Sequence, residues 1–95
     1  MSVATGFDWD PRKAAANVAK HGVTFEVARR VFGDPFAVID SDEREDYGEE
    51  RLTIIGMVGN RLLFVVFTEE ADGTIRLISA RKPTSQEKRR YHEGQ

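Results

Sequence analysis

The residues best suited to chemistry lie where an apolar stretch ends in two cations. The stretch up to Ala80 runs directly into Arg81 and Lys82, and a proline and the helix-capping residue Thr84 follow. Two fixed positive charges beside the start of a new helix form a natural anion site, because the N-terminus of the helix also attracts negative charge. The alternative is that Arg81 and Lys82 only mark the solvated end of a strand.

Charge is unevenly distributed along the chain, although the net charge is only −2. Residues 40–50 carry seven acids and one base, whereas residues 81–90 carry five bases and one acid. A basic face of this kind suits a phosphate ligand, and an acidic face suits a basic partner. Two solvated surface segments are the alternative. The small net charge argues mildly against a strong non-specific binder of nucleic acid.

The composition is that of a single soluble globular domain over residues 1–95. Charged residues make up 32% of the chain and apolar residues 40%, which excludes a disordered or fibrous protein. No apolar run reaches membrane-spanning length, and residues 1–6 show no secretory signal, so we expect a cytoplasmic protein that does not contact a membrane. The chain has no cysteine and two histidines, so we expect no disulfide, no metal site and no cofactor.

Capping and turn residues locate the elements that must position these side chains. Asp10 and Pro11 begin a helix that Gly22 ends, and helical spacing places His21 on its apolar face. The predicted elements are, in chain order, a strand at residues 7–10, helices at Pro11–His21 and 25–32, a strand at 36–40, an acidic loop at 41–49, strands at 51–58, Arg61–Glu69 and 74–82, and a helix at 85–91.

The predicted fold class is α+β, with an antiparallel β-sheet, two N-terminal helices and one C-terminal helix, because strands joined by tight turns pair antiparallel. A two-residue turn at Gly59-Asn60 pairs Val58 with Arg61. Counting back along both strands places Arg51 opposite Thr68, on the same face of the sheet.

The length of the turn between the last two strands decides which basic residue lies on the same face of the sheet as Arg51 and Thr68. A two-residue turn at Asp72-Gly73 brings Arg81, whereas a three-residue turn brings Arg76 and Lys82. We favour the two-residue turn and therefore Arg81. Arg51 and Arg81 would then lie on the order of 13 Å apart, at ~3.3 Å per residue along the strand, so only long side chains or an extended ligand would use both.

Four segments, taken together, resemble the BrnT family, the toxin half of BrnT/BrnA toxin–antitoxin modules. They occur in the order and at the spacings of that family, and they extend over residues 7–91. The segments are Phe7-Asp8-Trp9-Asp10 with Lys13 and Asn17; Lys20-His21-Gly22-Val23 with Phe25-Glu26; Gly48-Glu49-Glu50-Arg51 with Ile55-Gly56; and Ile78-Ser79-Ala80-Arg81-Lys82 with Glu87, Arg90 and Tyr91.

The resemblance implies a RelE-like, barnase-like small ribonuclease architecture and an endoribonuclease activity that arrests growth. It also implies a BrnA-type antitoxin that blocks the toxin and binds DNA, so that this chain would meet DNA only through its partner. A different class of function stays open at this stage. The chain could be a non-catalytic module that binds RNA or a protein, or a degenerate toxin that only binds its antitoxin.

RNA cleavage without a metal needs a base for the ribose 2′-hydroxyl, cations for the phosphate charge and an acid for the leaving oxygen. His21 or Glu50 could transfer the protons, and Arg51 and Arg81 could clamp the phosphate. We predict these four residues as catalytic. The residues predicted to bind RNA or phosphate are Lys20, Thr68, Lys82 and Tyr91, the last as a proton donor or as a ring that stacks on a base.

Each of these candidates has a structural alternative. His21 could simply cap the first helix, and Glu50 is one of several acids in its loop. Glu50 and Arg51 could also form a surface ion pair. Tyr91 could pack the last helix onto the sheet, and we expect Trp9 in the core rather than on a stacked base.

Overall fold

The computed structural model describes residues 6–42 and 50–94 and confirms the α+β fold. The predicted acidic loop lies outside the described residues from residue 43 onward. The elements are, in chain order, β1 (Phe7–Asp8), α1 (Pro11–His21), α2 (Phe25–Ala28), a 3₁₀ helix (Arg29–Gly33), β2 (Val38–Ser41), β3 (Leu52–Val58), β4 (Arg61–Glu69), β5 (Ile75–Arg81) and α3 (Ser85–Glu93).

The five strands form one sheet in the order β1-β5-β4-β3-β2. Strands β2 to β5 pair antiparallel, as predicted, but β1 pairs parallel with β5, with Phe7 beside Ile75. The sheet is therefore mixed rather than purely antiparallel. The rule for tight turns applies only to strands that follow one another, and no turn joins β1 to β5, so this direction could not be predicted from local sequence.

The β3–β4 hairpin has the predicted register, with Val58 opposite Arg61. The β4–β5 turn differs from the prediction. The Glu70 N–H donates to the Thr74 carbonyl oxygen at 2.8 Å, which leaves three residues in the loop, and Gly73 supplies the left-handed conformation there with φ +90°. The prediction of a two-residue turn is therefore wrong.

A β-bulge restores the register further along β5. Near the turn, Arg76 lies opposite Thr68, as a three-residue turn requires. Ile78 is then the extra residue in β5, and beyond it Arg81 pairs with Phe64. The prediction that Arg81 lies on the Arg51 face of the sheet is confirmed, although by a turn and a bulge rather than by the turn alone.

Helices cover both faces of the sheet. The larger core lies between one face and the α1, α2 and 3₁₀ helices, and the smaller core lies under α3 on the other face. Trp9 packs edge-on against Phe25 in the larger core, with ring centroids 5.8 Å apart, as expected. Arg81 and α3 share the second face. On that face Ile55, Phe64 and Val66 of the sheet pack with Tyr91 of α3.

The second predicted helix is divided into α2 and the 3₁₀ helix, and the latter lies directly on β3. A Cβ at Gly56 would lie 2.5 Å from Val31 Cγ2, so only glycine allows this approach. Asp34 follows the 3₁₀ helix, and its carboxylate accepts hydrogen bonds from the Phe36 N–H at 2.9 Å and the Met57 N–H at 2.7 Å. Asp34 thereby ties the end of the 3₁₀ helix to β3.

Candidate functional site

Asn17 attaches α1 to the edge of β5. Its Nδ2 donates to the carbonyl oxygens of Val23 and Ala80, each at 2.9 Å, and its Oδ1 accepts from the Ala80 N–H at 3.0 Å. The side-chain amide of Asn17 thus forms hydrogen bonds with both the N–H and the C=O of Ala80, as the backbone of a neighbouring strand would. The helix begins at its N-cap Asp10 and ends at Gly22, which has φ +70°. Its length and its position on β5 are therefore both fixed.

A shallow groove of about 210 Å³ lies between α1 and β5, and we name it the cation groove. Lys13, Lys20 and His21 come from α1 and Ser79 from β5; Ala16, Asn17 and Ile78 complete the lining. The two lysines are exposed and His21 is half-buried. None of these three cationic or titratable side chains pairs with a carboxylate among the described residues. The groove thus combines positive charge, an imidazole and a hydroxyl, which suits a phosphate.

Arg81 lies at the end of β5 and is bound by Glu87 of α3. Its Nη1 and Nη2 donate to the two carboxylate oxygens at 2.8 and 3.0 Å, and the guanidinium carbon lies 4.2 Å from the centre of the Phe64 ring. Burial raises the pKa of Glu87, but the hydrogen bonds from Arg81 and Thr84 and the charge of Arg81 hold it below its ordinary value. The carboxylate of α3 therefore occupies the anion site that the sequence predicts, while Lys82 beside it is exposed.

Glu50, Arg51 and Thr68 form a separate group toward the other end of the same face. Thr68 is buried, and its hydroxyl donates to the backbone oxygen of Glu50 at 2.8 Å. The Glu50 side chain is exposed, and Arg51 is half-buried just before β3. Ile55 of β3 lies in the same row as Phe64 and Arg81, and it is four positions after Arg51. At ~3.3 Å per residue, Arg51 is therefore about 13 Å from the row of Arg81 along the strand direction.

Tyr91 of α3 is buried, with 5% of its surface exposed. Its hydroxyl donates to Asp34 Oδ2 at 2.7 Å. Burial and this carboxylate raise the pKa of Tyr91 to about 12. Burial also raises the pKa of Asp34, but the hydrogen bonds from Met57, Phe36 and Tyr91 leave it below its ordinary value. The contacts of Tyr91 are those of a residue that packs α3 onto the sheet.

Comparison with known proteins identifies the family. The family model described as "Ribonuclease toxin, BrnT, of type II toxin-antitoxin system" matches residues 9–87, which is most of the chain. The chain belongs to the BrnT family. The crystal structure of the Brucella abortus ribonuclease toxin BrnT at 1.1 Å resolution is similar, with a TM-score of 0.66 and 23% identity over 84% of this chain and 97% of that one. This likeness shows a shared fold. No curated protein sequence matches the chain.

The family accounts for two of the expectations drawn from the sequence. BrnT proteins are ribonuclease toxins, and their place in type II systems implies an antitoxin as partner.

The part of the chain that the structure describes contains no helix that could span a membrane. No group of three or more His, Asp or Glu side chains in residues 6–42 and 50–94 is arranged to hold a metal ion.

The eight site residues predicted in this BrnT chain fall into three places. Lys20 and His21 share the cation groove, Arg81, Lys82 and Tyr91 lie around α3, and Glu50, Arg51 and Thr68 lie toward the far end of the sheet. No comparison assigns roles to them, so their catalytic and binding roles stay predictions.

The sequence reasoning missed two residues of the cation groove. Lys13 is seven residues before Lys20, a spacing that places both on one side of a helix, so it could have been found. Ser79 could not, because its position beside α1 depends on the Asn17 contact with β5 and on the bulge at Ile78.

Proposed function

We propose that this BrnT protein is an endoribonuclease that cleaves RNA without a metal ion, arrests growth and is neutralised by a BrnA-type antitoxin. The observation that carries the proposal is the family match over residues 9–87. The protein would act in the cytoplasm, where its RNA substrate is found, and would meet DNA only through the antitoxin. The cation groove is the part of the described structure best suited to hold the RNA.

Positive charge supports this placement. Lys13 and Lys20 have no carboxylate partner among the described residues, so their full charge is available to an RNA phosphate. Arg81, by contrast, already bonds both oxygens of Glu87. An RNA phosphate at Arg81 would have to share or displace that carboxylate, whereas a phosphate at the two lysines displaces only water.

His21 is the proposed proton-transfer residue. Imidazole can accept a proton at one ring nitrogen and donate one from the other, and His21 is half-buried in the same groove as both lysines. In the reaction, a base takes the proton of the ribose 2′-hydroxyl as its oxygen bonds to phosphorus. The phosphorus–5′-oxygen bond breaks, and an acid protonates the 5′-oxygen. His21 serves one of these two steps, and Ser79 hydrogen-bonds the phosphate.

The remaining predicted residues would act on the flanking nucleotides. Arg51 and Thr68 lie about 13 Å along the sheet from the row of Arg81, so only long side chains or an extended ligand would use both groups. An extended RNA strand can contact several phosphate-binding positions along a protein surface. In this proposal the row of Ser79 lies between the row of Arg81 and that of Arg51, so Arg81 and Lys82 contact phosphates on one side of the cation groove and the Glu50–Arg51 group contacts phosphates on the other. Glu50 is the alternative proton-transfer residue.

The test is cleavage of a defined RNA by the purified protein in excess EDTA. Wild type should yield products, and His21→Ala should lose about 100-fold or more in rate, the usual loss for a general acid or base. His92→Ala is the matched control, because His92 is exposed on α3 outside the groove. Equal rates in the two histidine variants would remove His21 from the mechanism. Arg81→Ala, checked for native folding, tests the predicted role of the α3 site.

The second candidate is a non-catalytic module that binds RNA or a protein, or a degenerate toxin that keeps only antitoxin binding. The Glu87 contact of Arg81 and the buried hydroxyl of Tyr91 favour it, because both groups are already engaged within the chain. RNA gel shifts without products, from wild type in the presence or absence of EDTA, would support this alternative over the enzyme.

A further inference from the structure

A second and larger groove, of about 1030 Å³, opens on the opposite face of the sheet from α3, and we name it the apolar groove. The 3₁₀ helix and the residues just after it form one side. None of α1, α2 and α3 contributes to its lining, so no described α-helix covers this part of the sheet. Its floor draws on all five strands. The floor residues are Phe7, Ile39, Leu52, Ile54, Phe67 and Ile75.

The apolar groove includes an exposed apolar side chain at the edge strand β2. Ile39, which lines the groove, is 54% exposed, a large fraction for an apolar side chain. Contiguous apolar surface of this kind marks a protein interaction site. In α+β domains a sheet face is buried by helices. Within residues 6–42 and 50–94, no α-helix covers the groove, although α1 and α2 pack on the rest of this face.

Two cations beside the apolar groove indicate the charge of its occupant. Arg29 and Arg30 line it, both are exposed, and neither pairs with a carboxylate among the described residues. Of the two acids in the lining, Asp34 is engaged by Met57 and Tyr91, and Glu69 is exposed at the end of β4. Unpaired arginines next to an apolar floor complement a segment that combines apolar and acidic side chains.

We propose that the apolar groove binds an amphipathic helix of the antitoxin, with its apolar stripe on Ile39 and the apolar floor and acidic residues beside Arg29 and Arg30. The inference rests on the proposed function, since it takes the antitoxin as the partner. A helix fits because the open surface is the face of a sheet and a helix already covers the rest of that face. The groove contains neither His21 nor Arg81, so this contact anchors the antitoxin without filling the cation groove.

The experiment measures the affinity of the purified protein for the product of the reading frame adjacent to its gene. Ile39→Asp and the double variant Arg29→Glu/Arg30→Glu should each weaken the complex by about tenfold or more. Val18→Asp is the matched control: Val18 is 44% exposed on α1 and lies outside both grooves, so affinity should not change. The double variant leaves the apolar floor intact, and so it tests the proposal even if Ile39→Asp fails to fold.

Two further readouts separate the possible failures. The affinity of wild type should fall as salt rises, and the double arginine variant should lose that dependence. Each free variant should cleave RNA as wild type does, because no variant touches the cation groove. If wild type forms no complex, or if all variants bind equally, the docking proposal is wrong. If free wild type fails to cleave RNA while the variants lose antitoxin affinity, the ribonuclease proposal fails and the docking proposal stands.

A second copy of the chain is the competing occupant, and the same variants test it. Light scattering of the free protein would then show a dimer that Ile39→Asp converts to a monomer, with antitoxin affinity unchanged. That combination overturns the proposal. A monomer in every variant, with weaker antitoxin binding only in the groove variants, supports it.

Discussion

Replacing Asn17 by alanine should cost about 3 kcal/mol of the free energy of unfolding. The change removes the partners of three buried backbone groups: the N–H and C=O of Ala80 and the C=O of Val23. Ala80 is 0% exposed and Val23 is 3% exposed, so water does not replace the amide without rearrangement. Each buried polar group left without a partner costs ~1–3 kcal/mol, and we use the lower value because the cation groove adjoins the site.

That loss is a large share of the roughly 5–15 kcal/mol that stabilise a domain of this kind. At about 4–8 °C per kcal/mol for a chain of this length, Asn17→Ala should lower Tm by about 12–24 °C. The assay is thermal and urea unfolding followed by circular dichroism. Asn60→Ala is the matched control, because Asn60 is exposed in the β3–β4 turn, and it should change stability by less than about 1 kcal/mol.

Asn17→Asp separates hydrogen bonding from packing. The carboxylate keeps the volume of the side chain and can still accept from the Ala80 N–H, but it cannot donate to the two carbonyl oxygens. At neutral pH its loss of stability should therefore be at least as large as that of Asn17→Ala. Wild-type stability in Asn17→Asp, or a loss below about 1 kcal/mol in Asn17→Ala, would refute the reasoning.

Two other contacts give predictions of the same kind. Tyr91→Phe should lower the free energy of unfolding by about 1–2 kcal/mol in urea titrations, because it removes a hydrogen bond to a carboxylate that keeps two N–H donors; no change would contradict this role. The Tyr91 phenol should ionise about pH 12, so its contribution is complete below 10.0 and lost as pH rises through 12. Ultraviolet titration of Tyr47→Phe, in which Tyr91 is the remaining tyrosine, checks this, and ionisation near 10.0 would contradict the burial argument. Because the pKa of Glu87 is lowered by folding, its contribution is complete above 4.5 and lost as pH falls below that value, so Glu87→Gln should show a shallower loss of stability on acidification than wild type.

Local signals in the sequence were enough for the elements and for one hairpin. Asp10, Pro11 and Gly22 fix both ends of α1, and the two-residue turn at Gly59-Asn60 fixes the β3–β4 register, because each signal acts within a few residues. The β4–β5 turn was predicted one residue too short, since Asp-Gly occurs in both turn lengths. The compensating bulge at Ile78 has no local signal that we can identify.

The candidate site was less predictable because its geometry depends on contacts between distant parts of the chain. The sequence pattern indicated an anion site at Arg81, but it did not show that Glu87 would supply the anion. It placed His21 at the end of a helix but not beside Ser79. That proximity depends on the hydrogen bonds between Asn17 and Ala80, which are 63 residues apart in the chain. The sequence predicted that Glu87 and Thr84 form a capping box at the start of α3. It did not predict that the Glu87 carboxylate also binds Arg81.

The measurement that tests the central claim most directly is the cleavage rate of one defined RNA in excess EDTA by wild type, Lys13→Ala/Lys20→Ala and Lys88→Ala. Lys88 is exposed on α3, outside the cation groove, and so controls for a general loss of positive charge. If RNA is bound and cut in the cation groove, the double variant should lose at least about tenfold in rate and Lys88→Ala should match wild type. Equal rates in all three proteins would contradict the placement of RNA in the cation groove.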